Sequence, residues 1–258
     1  MMEGLARSSR PLRWAIRRDW ADAAILVAAI LAGWTVASWL LGEAVLPTPR
    51  GTWLRLLDEF GDPDFMDHLE ATARAFGTAM LIASAGGIAI GLALGARRLA
   101  GDVMEPVLIT LYSIPKIALY PIILLMFGLD ISARIAFGVI HGIIPIIIFT
   151  MTALRNMPPV YARSARTYRL TPFRTAWHVL IPAAMPEIVA GLRIGFSLTL
   201  LGTLLGEMFA SQYGLGHLLM RSMERNETST IMALALLLFA FATAASYGLL
   251  RLDRYLRH

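Results

Sequence analysis

The chain has no cysteine, which excludes disulfides, thiolate metal sites, iron–sulfur clusters and a cysteine nucleophile. Histidine is sparse. The five residues His68, His141, His178, His217 and His258 lie far apart, outside H-E-x-x-H or comparable metal-ligand spacing. Lysine is almost missing: of 23 basic residues only Lys116 is a lysine, the rest being arginine. Its frame, Ser113-Ile114-Pro115-Lys116-Ile117-Ala118, is not the G-x-x-x-x-G-K-[ST] loop that cradles nucleotide phosphates. The chain therefore carries no P-loop ATPase of its own. Charge of either sign is scarce, at 16% of residues against about a quarter in a typical soluble domain.

What fills the 258 residues instead is apolar, 57% of them hydrophobic, with a mean hydropathy of +0.63. A water-soluble domain of this size has too little interior to hide that much apolar surface. The composition is that of a membrane protein. A net charge of +5 and a pI near 10 would also suit nucleic-acid binding. Basic residues on the cytoplasmic loops of a membrane protein give the same total, so their positions decide.

Six apolar stretches are each long enough, at about 20 residues, to cross roughly 30 Å of hydrocarbon. They are Ala23–Gly42, Phe76–Ala96, Val103–Gly128, Ile131–Met151, Pro186–Ala210 and Ile231–Leu250. The first is read as a retained helix, because Leu41-Gly42-Glu43 is not an A-x-A cleavage site and further spans follow. Arginines gather in alternate connections: Arg7, Arg10, Arg13, Arg17 and Arg18 before the first span, then Arg97 and Arg98. Arg155, Arg163, Arg166, Arg169 and Arg174 lie between spans four and five, and Arg251, Arg254 and Arg257 follow the last. The segments in between are acidic or mixed, with Glu43, Asp58, Glu59, Asp62, Asp64, Asp67 and Glu70 in the first and Arg221, Glu224, Arg225 and Glu227 in the last. The positive-inside rule then places both termini in the cytoplasm. The expected architecture is all-α and polytopic, a single transmembrane domain over 1–258. Residues 1–22 form a cytoplasmic N-terminal segment and 155–185 a cytoplasmic loop. A short outer helix, Thr52–Phe60, is expected after the Leu46–Pro49 turn, ended by Gly61-Asp62-Pro63.

A structureless loop as long as 155–185 is unusual, so it is expected to hold elements of its own. Val160–Leu170 suits a short basic helix with Arg163, Arg166 and Arg169. Thr171-Pro172 reads as an N-cap with proline at the first helical position. Phe173, Ala176, Trp177 and Leu180 then recur at helical spacing, and Pro182 and Pro186 are expected to break the helix before span five. Pattern alone leaves two readings open: a helical pair docked on a cytoplasmic partner, or a basic amphipathic loop held to anionic lipid.

The run Ala165-Arg166-Thr167 … His178-Val179-Leu180-Ile181-Pro182-Ala183-Ala184-Met185-Pro186-Glu187-Ile188 … Gly191-Leu192-Arg193 resembles the EAA loop of ABC importer permeases, and most closely the nitrate/sulfonate/taurine branch. Tyr112-Ser113-Ile114-Pro115-Lys116-Ile117-Ala118, Gly206-Glu207-Met208 and Gly214-Leu215-Gly216 resemble that branch in order and spacing. The resemblance runs from about Leu69 to the end. It implies a six-span subunit with the type I importer fold, in the cell inner membrane, working as a homodimer. Its implied partners are two copies of an ABC ATPase, which bind the ATP and Mg, and a periplasmic or extracellular substrate-binding protein. No cofactor is implied in this chain. Arg163, Ser164, Ala165, Arg166, Arg169, Leu170 and Thr171 would couple to the ATPase, with Pro182 and Pro186 as hinge. Two positions depart from the family pattern: Arg163 stands where it has Glu, and Arg169 where it has Gly. A glycine between two helices commonly supplies a positive φ, a geometry that costs another residue roughly 1 kcal/mol or more. The turn here is then built differently, through Thr171-Pro172, or an unusually acidic groove in the ATPase matches it; co-adaptation is the favoured expectation.

Charges within the apolar stretches are the remaining candidates. Lys116 lies deep in span three, where an unpaired charge costs at least about 2.5–3.5 kcal/mol, and Pro115 and Pro121 are expected to bend the helix around it. Lys116 either attracts an anionic solute or serves as a structural ion pair. Tyr112, Ser113, Pro115, Lys116, Ser197 and Glu207 are the candidate translocation residues. Arg193 is expected near the inner end of span five, and Glu207 near its outer end, in contact with another span or the binding protein. Gly202 and Gly206 have the G-x-x-x-G spacing of close helix approach. A secondary transporter or channel would be expected to show membrane-embedded carboxylates or discontinuous repeat helices, and only Glu207 comes close. A membrane enzyme needs convergent catalytic groups, and His141 has no evident partner; catalytic and metal residues are expected to be none.

Overall fold

The computed structural model describes residues 12–256. Arg7, Arg10 and Arg257 lie outside the described residues. The elements run α1 (Leu12–Leu41), α2 (Pro49–Phe60), α3 (Pro63–Gly95), α4 (Arg98–Ser113), a 3₁₀ turn (Lys116–Leu119) and α5 (Tyr120–Phe127). They continue with α6 (Ile131–Arg155), α7 (Pro159–Thr167), α8 (Pro172–Thr175), a π segment (Ala176–Leu180), α9 (Ile181–Ala210), α10 (Leu215–Glu224) and α11 (Thr228–Leu256). Among the described residues 5 helices are long and apolar enough to span a membrane, and α4 with α5 makes a sixth span bent by 85°.

Several helices start well outside their apolar cores. Helix α3 begins at Pro63, because Asp62 accepts from the Asp64 N–H at 3.0 Å as N-cap and proline occupies the first turn. Its polar first turns carry Asp64, Asp67, Glu70 and Arg74, invisible to an apolarity criterion. Helix α2 begins before the expected Thr52, with Thr48 capping the Gly51 N–H at 3.2 Å. It is stitched to the start of α11: Arg55 Nε donates to Thr230 Oγ1 at 3.1 Å, and Thr230 donates to Glu59 at 3.3 Å.

Helix α6 is the centre, packed along α9 on one side and α3 on the other. Glycines set both seams. A Cβ at Gly91 would lie 2.6 Å from Thr150 Cβ, and one at Gly87 2.8 Å from Ile146 Cβ. On α9, a Cβ at Gly195 would meet Ile146 at 2.6 Å and one at Gly202 would meet His141 at 2.8 Å. The expected Gly202/Gly206 pair thus belongs to a wider set. Helix α1, by contrast, is fixed at one end, where Trp34 Nε1 donates to Pro47 O at 2.9 Å and Ser38 to Leu46 O at 2.7 Å.

Span three corrects the expected single helix over Val103–Gly128. The chain leaves helical geometry at Ile114 (φ −66, ψ 133). Pro115 has no N–H to continue the ladder and excludes αR from the residue before it. Pro121 does not bend anything; it sits in the first turn of α5. Residue depth can therefore not be counted along a straight helix to Lys116, which stands at the corner.

Candidate functional site

The 155–185 segment folds as two short helices, as its capping signals predict. Helix α7 ends in a Schellman motif: the Leu170 N–H reaches back to Ala165 O at 3.0 Å, and Arg169 is the left-handed residue at φ 49. Arg169 thus adopts the geometry of the family's glycine, which sets aside the alternative of a turn built through Thr171-Pro172 and does not bear on the favoured expectation of a co-adapted groove; the strain is about 1–2 kcal/mol. Thr171 Oγ1 accepts from the Arg174 N–H at 3.4 Å, capping α8. The hairpin leaves Val160, Tyr161, Tyr168 and Trp177 exposed beside the exposed Arg163, Arg169 and Arg174. Ala165 is buried beneath them. The side chains of Ser164 and Arg166 lie outside the described residues.

The hairpin joins span five without the expected break. From Pro172 the chain stays helical through the π segment and α9, the apolar span covering Trp177–Phe209. Pro182 falls in the first turn of α9, next to the π segment. An i→i+5 pattern there accommodates a residue that has no N–H to donate to position i−4. Pro186 lies inside α9.

At the corner of span three, Lys116 is half-buried, and its Nζ donates to Tyr112 O at 2.9 Å and stands 5.0 Å from the Tyr112 ring centroid. The ammonium thereby satisfies one of the orphan carbonyls that end α4 and faces an aromatic π-cloud. Ser113 donates to Ile109 O at 3.0 Å. Tyr112 and Ser197 line one open cavity of about 430 Å³ with Arg193 and Ser246, while Ile194, Leu198 and Leu250 supply its apolar wall. Ser197 also donates to Arg193 O at 3.4 Å. The cavity brings Tyr112 and Ser197 together with Arg193 and Ser246; Lys116 reaches this group only through its contact with Tyr112, and Ser113 and Pro115 precede it in the chain. Sequence order gave no signal for Ser246, which α11 supplies.

Glu207 stands apart, at the far end of α9, with 0% exposure. Its Oε2 accepts from Thr72 Oγ1 at 2.8 Å and from the Gly216 N–H at 3.0 Å, and Arg134 Nη1 lies 4.0 Å from Oε1. Thr72 in turn accepts from the Leu215 N–H at 2.7 Å, and His68 Nδ1 from the Gly214 N–H at 3.0 Å. The first three amides of the α10 end are thus all held by side chains. Gly214, at φ 122, lies against the Glu207 carboxyl where a Cβ would collide. Gly206-Glu207-Met208 and Gly214-Leu215-Gly216 therefore form one unit, with Glu207 bonded to α3 and the start of α10. Tyr120 of α5 ties to the same helix end, donating to Gly206 O at 2.6 Å. Beyond it, His217, Arg221 and Glu224 on the outer face of α10 border a second open cavity of about 380 Å³.

Residues 85–257 match the family described as binding-protein-dependent transport system inner membrane component. The chain is similar to the taurine transport system permease protein TauC of Escherichia coli (strain K12), 26% identical over 96% of this chain and 94% of that protein. It is similar to the nitrate import permease protein NrtB of Synechococcus elongatus (31% identical, 72% of this chain, 71% of that protein). The putative aliphatic sulfonates transport permease protein SsuC of Bacillus subtilis (strain 168) is 26% identical over 92% of this chain and 86% of its own length. In fold it resembles a chain of the inward-facing MetNI methionine ABC transporter, with a TM-score of 0.60 at 18% identity, covering 71% of this chain and 94% of that one. The chain belongs to the binding-protein-dependent transport inner membrane component family and is a multi-pass, non-enzymatic permease subunit of an ABC importer for a small solute.

Proposed function

We propose that two copies of this chain form the pathway of an importer for a small anionic solute of the sulfonate or nitrate type, with both termini in the cytoplasm. A substrate-binding protein delivers the solute from outside. Two ATPase subunits hold ATP and Mg on the inside and grip the α7–α8 hairpin. The single observation that carries this reading is the hairpin itself. It presents aromatic and apolar side chains with arginines on a surface left exposed among the described residues, and it continues without a break into α9. Apolar residues ringed by charge suit a protein groove, since exposed aromatics and arginine are the residue types that anchor interfaces.

When the ATPases close on ATP, the hairpins move together, and the helix through Pro182 and Pro186 carries that motion into α9. Tyr112, Ser113, Pro115, Lys116 and Ser197 would then line the route, Lys116 and Arg193 giving it positive potential. Glu207 fixes the far end of α9 to α3 and α10 from behind the route. The relatives named for taurine, sulfonates and nitrate support an anionic head group as the common chemistry. Mild-detergent isolation of the tagged chain from its native membrane tests the assignment. The expected result is a complex containing an ATPase that hydrolyses ATP; recovery of the chain without one contradicts it.

A further inference from the structure

Arg155, the last residue of α6, is counted among the basic residues of the hairpin side, yet it is not a free charge. Its Nη1 donates to Glu105 at 2.5 Å and its Nη2 to Asp102, both on α4. A Cβ on Gly101 would lie 3.0 Å from Arg155 Cδ, so the stem is packed as well as the head. Leu108 of α4 is buried with Ile147 and Met151 of α6 just above. From Ile109 onward α4 turns to an exposed face, with Ile109, Leu111, Tyr112 and Ile114 all open. Among the described residues, span three packs at its start, through Arg155, Gly101 and Leu108, and at its end, through Tyr120 and Ile123. Its start is bound to the last turn of α6, four residues before α7 begins, and its end is bound through Tyr120 to Phe137 and Gly206. The 85° corner with Lys116 lies between.

We infer that Arg155 is the positioning residue that links the hairpin to the corner of span three. It makes α4 move with the α6 end and the α7 hairpin as one body, and any displacement between the two anchors is taken up at Ile114–Pro115, where the helical ladder is already interrupted. This rests on the proposed docking of the hairpin, and adds to it a second route to the pathway besides α9. A fork of two charge-assisted bonds with a packed stem resists both sliding and rotation, which a single surface ion pair does not.

The chain has no cysteine, so Ile114→Cys gives a single reporter at the corner. In the complex isolated with its ATPase, its alkylation rate is measured with and without ATP and vanadate. In the Ile114→Cys parent the rate should respond to nucleotide. Arg155→Gln should reduce that response by about 5-fold or more, the lower end of ordinary site-to-site coupling, while ATP hydrolysis continues. Arg155→Lys should retain part of it. Asp102→Asn/Glu105→Gln cuts the link at half-exposed positions that tolerate change, and should match Arg155→Gln. A full response in Arg155→Gln or in the double variant, or a parent that hydrolyses ATP with no response, overturns the inference. A parent with no ATPase bound overturns the importer reading instead.

Discussion

Glu207 and Lys116 answer the same problem in opposite ways. The carboxylate is sealed in and supplied with donors from Thr72 and the Gly216 amide; the ammonium is kept half-open and given one carbonyl and one ring. A buried acceptor that loses its partners, or leaves donors without one, costs about 1–3 kcal/mol. Glu207→Ala should therefore lower stability in detergent by about 1–3 kcal/mol, because Thr72 and the Gly216 amide lose their acceptor and Arg134 its opposite charge. Glu207→Gln, which keeps one acceptor oxygen, should cost less. Thermal unfolding followed by tryptophan fluorescence checks the order, and equal stability of Glu207→Ala and the parent would show that the carboxylate holds nothing. Glu207 was recognisable from sequence as a charge in an apolar run. Its partners were not, since Thr72 and Gly216 come from other elements and only folding brings them to 2.8 and 3.0 Å. Arg169 was legible only as a departure from a glycine position, with a turn through Thr171-Pro172 as one alternative; the structure instead puts the arginine itself in the left-handed geometry, at φ 49.

At the scale of elements, apolarity shows where a span is and backbone chemistry shows where it stops being straight. The apolar cores located the spans, the first at Asp22–Leu41 included, while span three was taken for one continuous helix and α3 was begun too late because its capped first turns are polar. Pro115 was a visible breaker, but the size of the corner depended on Ile114 leaving the helix as well. The seams between α3, α6 and α9 were only partly readable. Gly202/Gly206 stood out by spacing, whereas Gly87, Gly91 and Gly95 look the same as any glycine in an apolar run until their facing residues are known. The seam makes a sharp contrast testable. Gly91→Ala puts a methyl where Thr150 and Ile147 O already stand, at 2.6 and 2.9 Å, and over-packing of that kind costs typically about 1–3 kcal/mol. Gly77→Ala, on the same helix with nothing within 4 Å, should instead be neutral or stabilise by up to about 1 kcal/mol through helix propensity. Unfolding midpoints of the two variants in detergent check this; a Gly91→Ala protein as stable as Gly77→Ala would show that the α3–α6 seam is not close-packed.

At the scale of the molecule, the chain is a central α6 with α3 and α9 closed on it, a bent span on one side, and peripheral helices α1 and α11 with most of their apolar surface uncovered. That surface suits lipid. Polytopic class was legible in the composition; the work of the molecule was legible only through the long motif that spans the hairpin and α9. The account stands or falls on which partner holds that hairpin. The direct measurement is cross-linking from single cysteines in the otherwise cysteine-free chain, within the isolated complex. Tyr168→Cys, 77% exposed at the hairpin tip, should cross-link to the ATPase subunit, whereas Leu129→Cys, 76% exposed between α5 and α6, should not. An ATPase adduct at Leu129→Cys, or none at Tyr168→Cys in a complex that hydrolyses ATP, would contradict it.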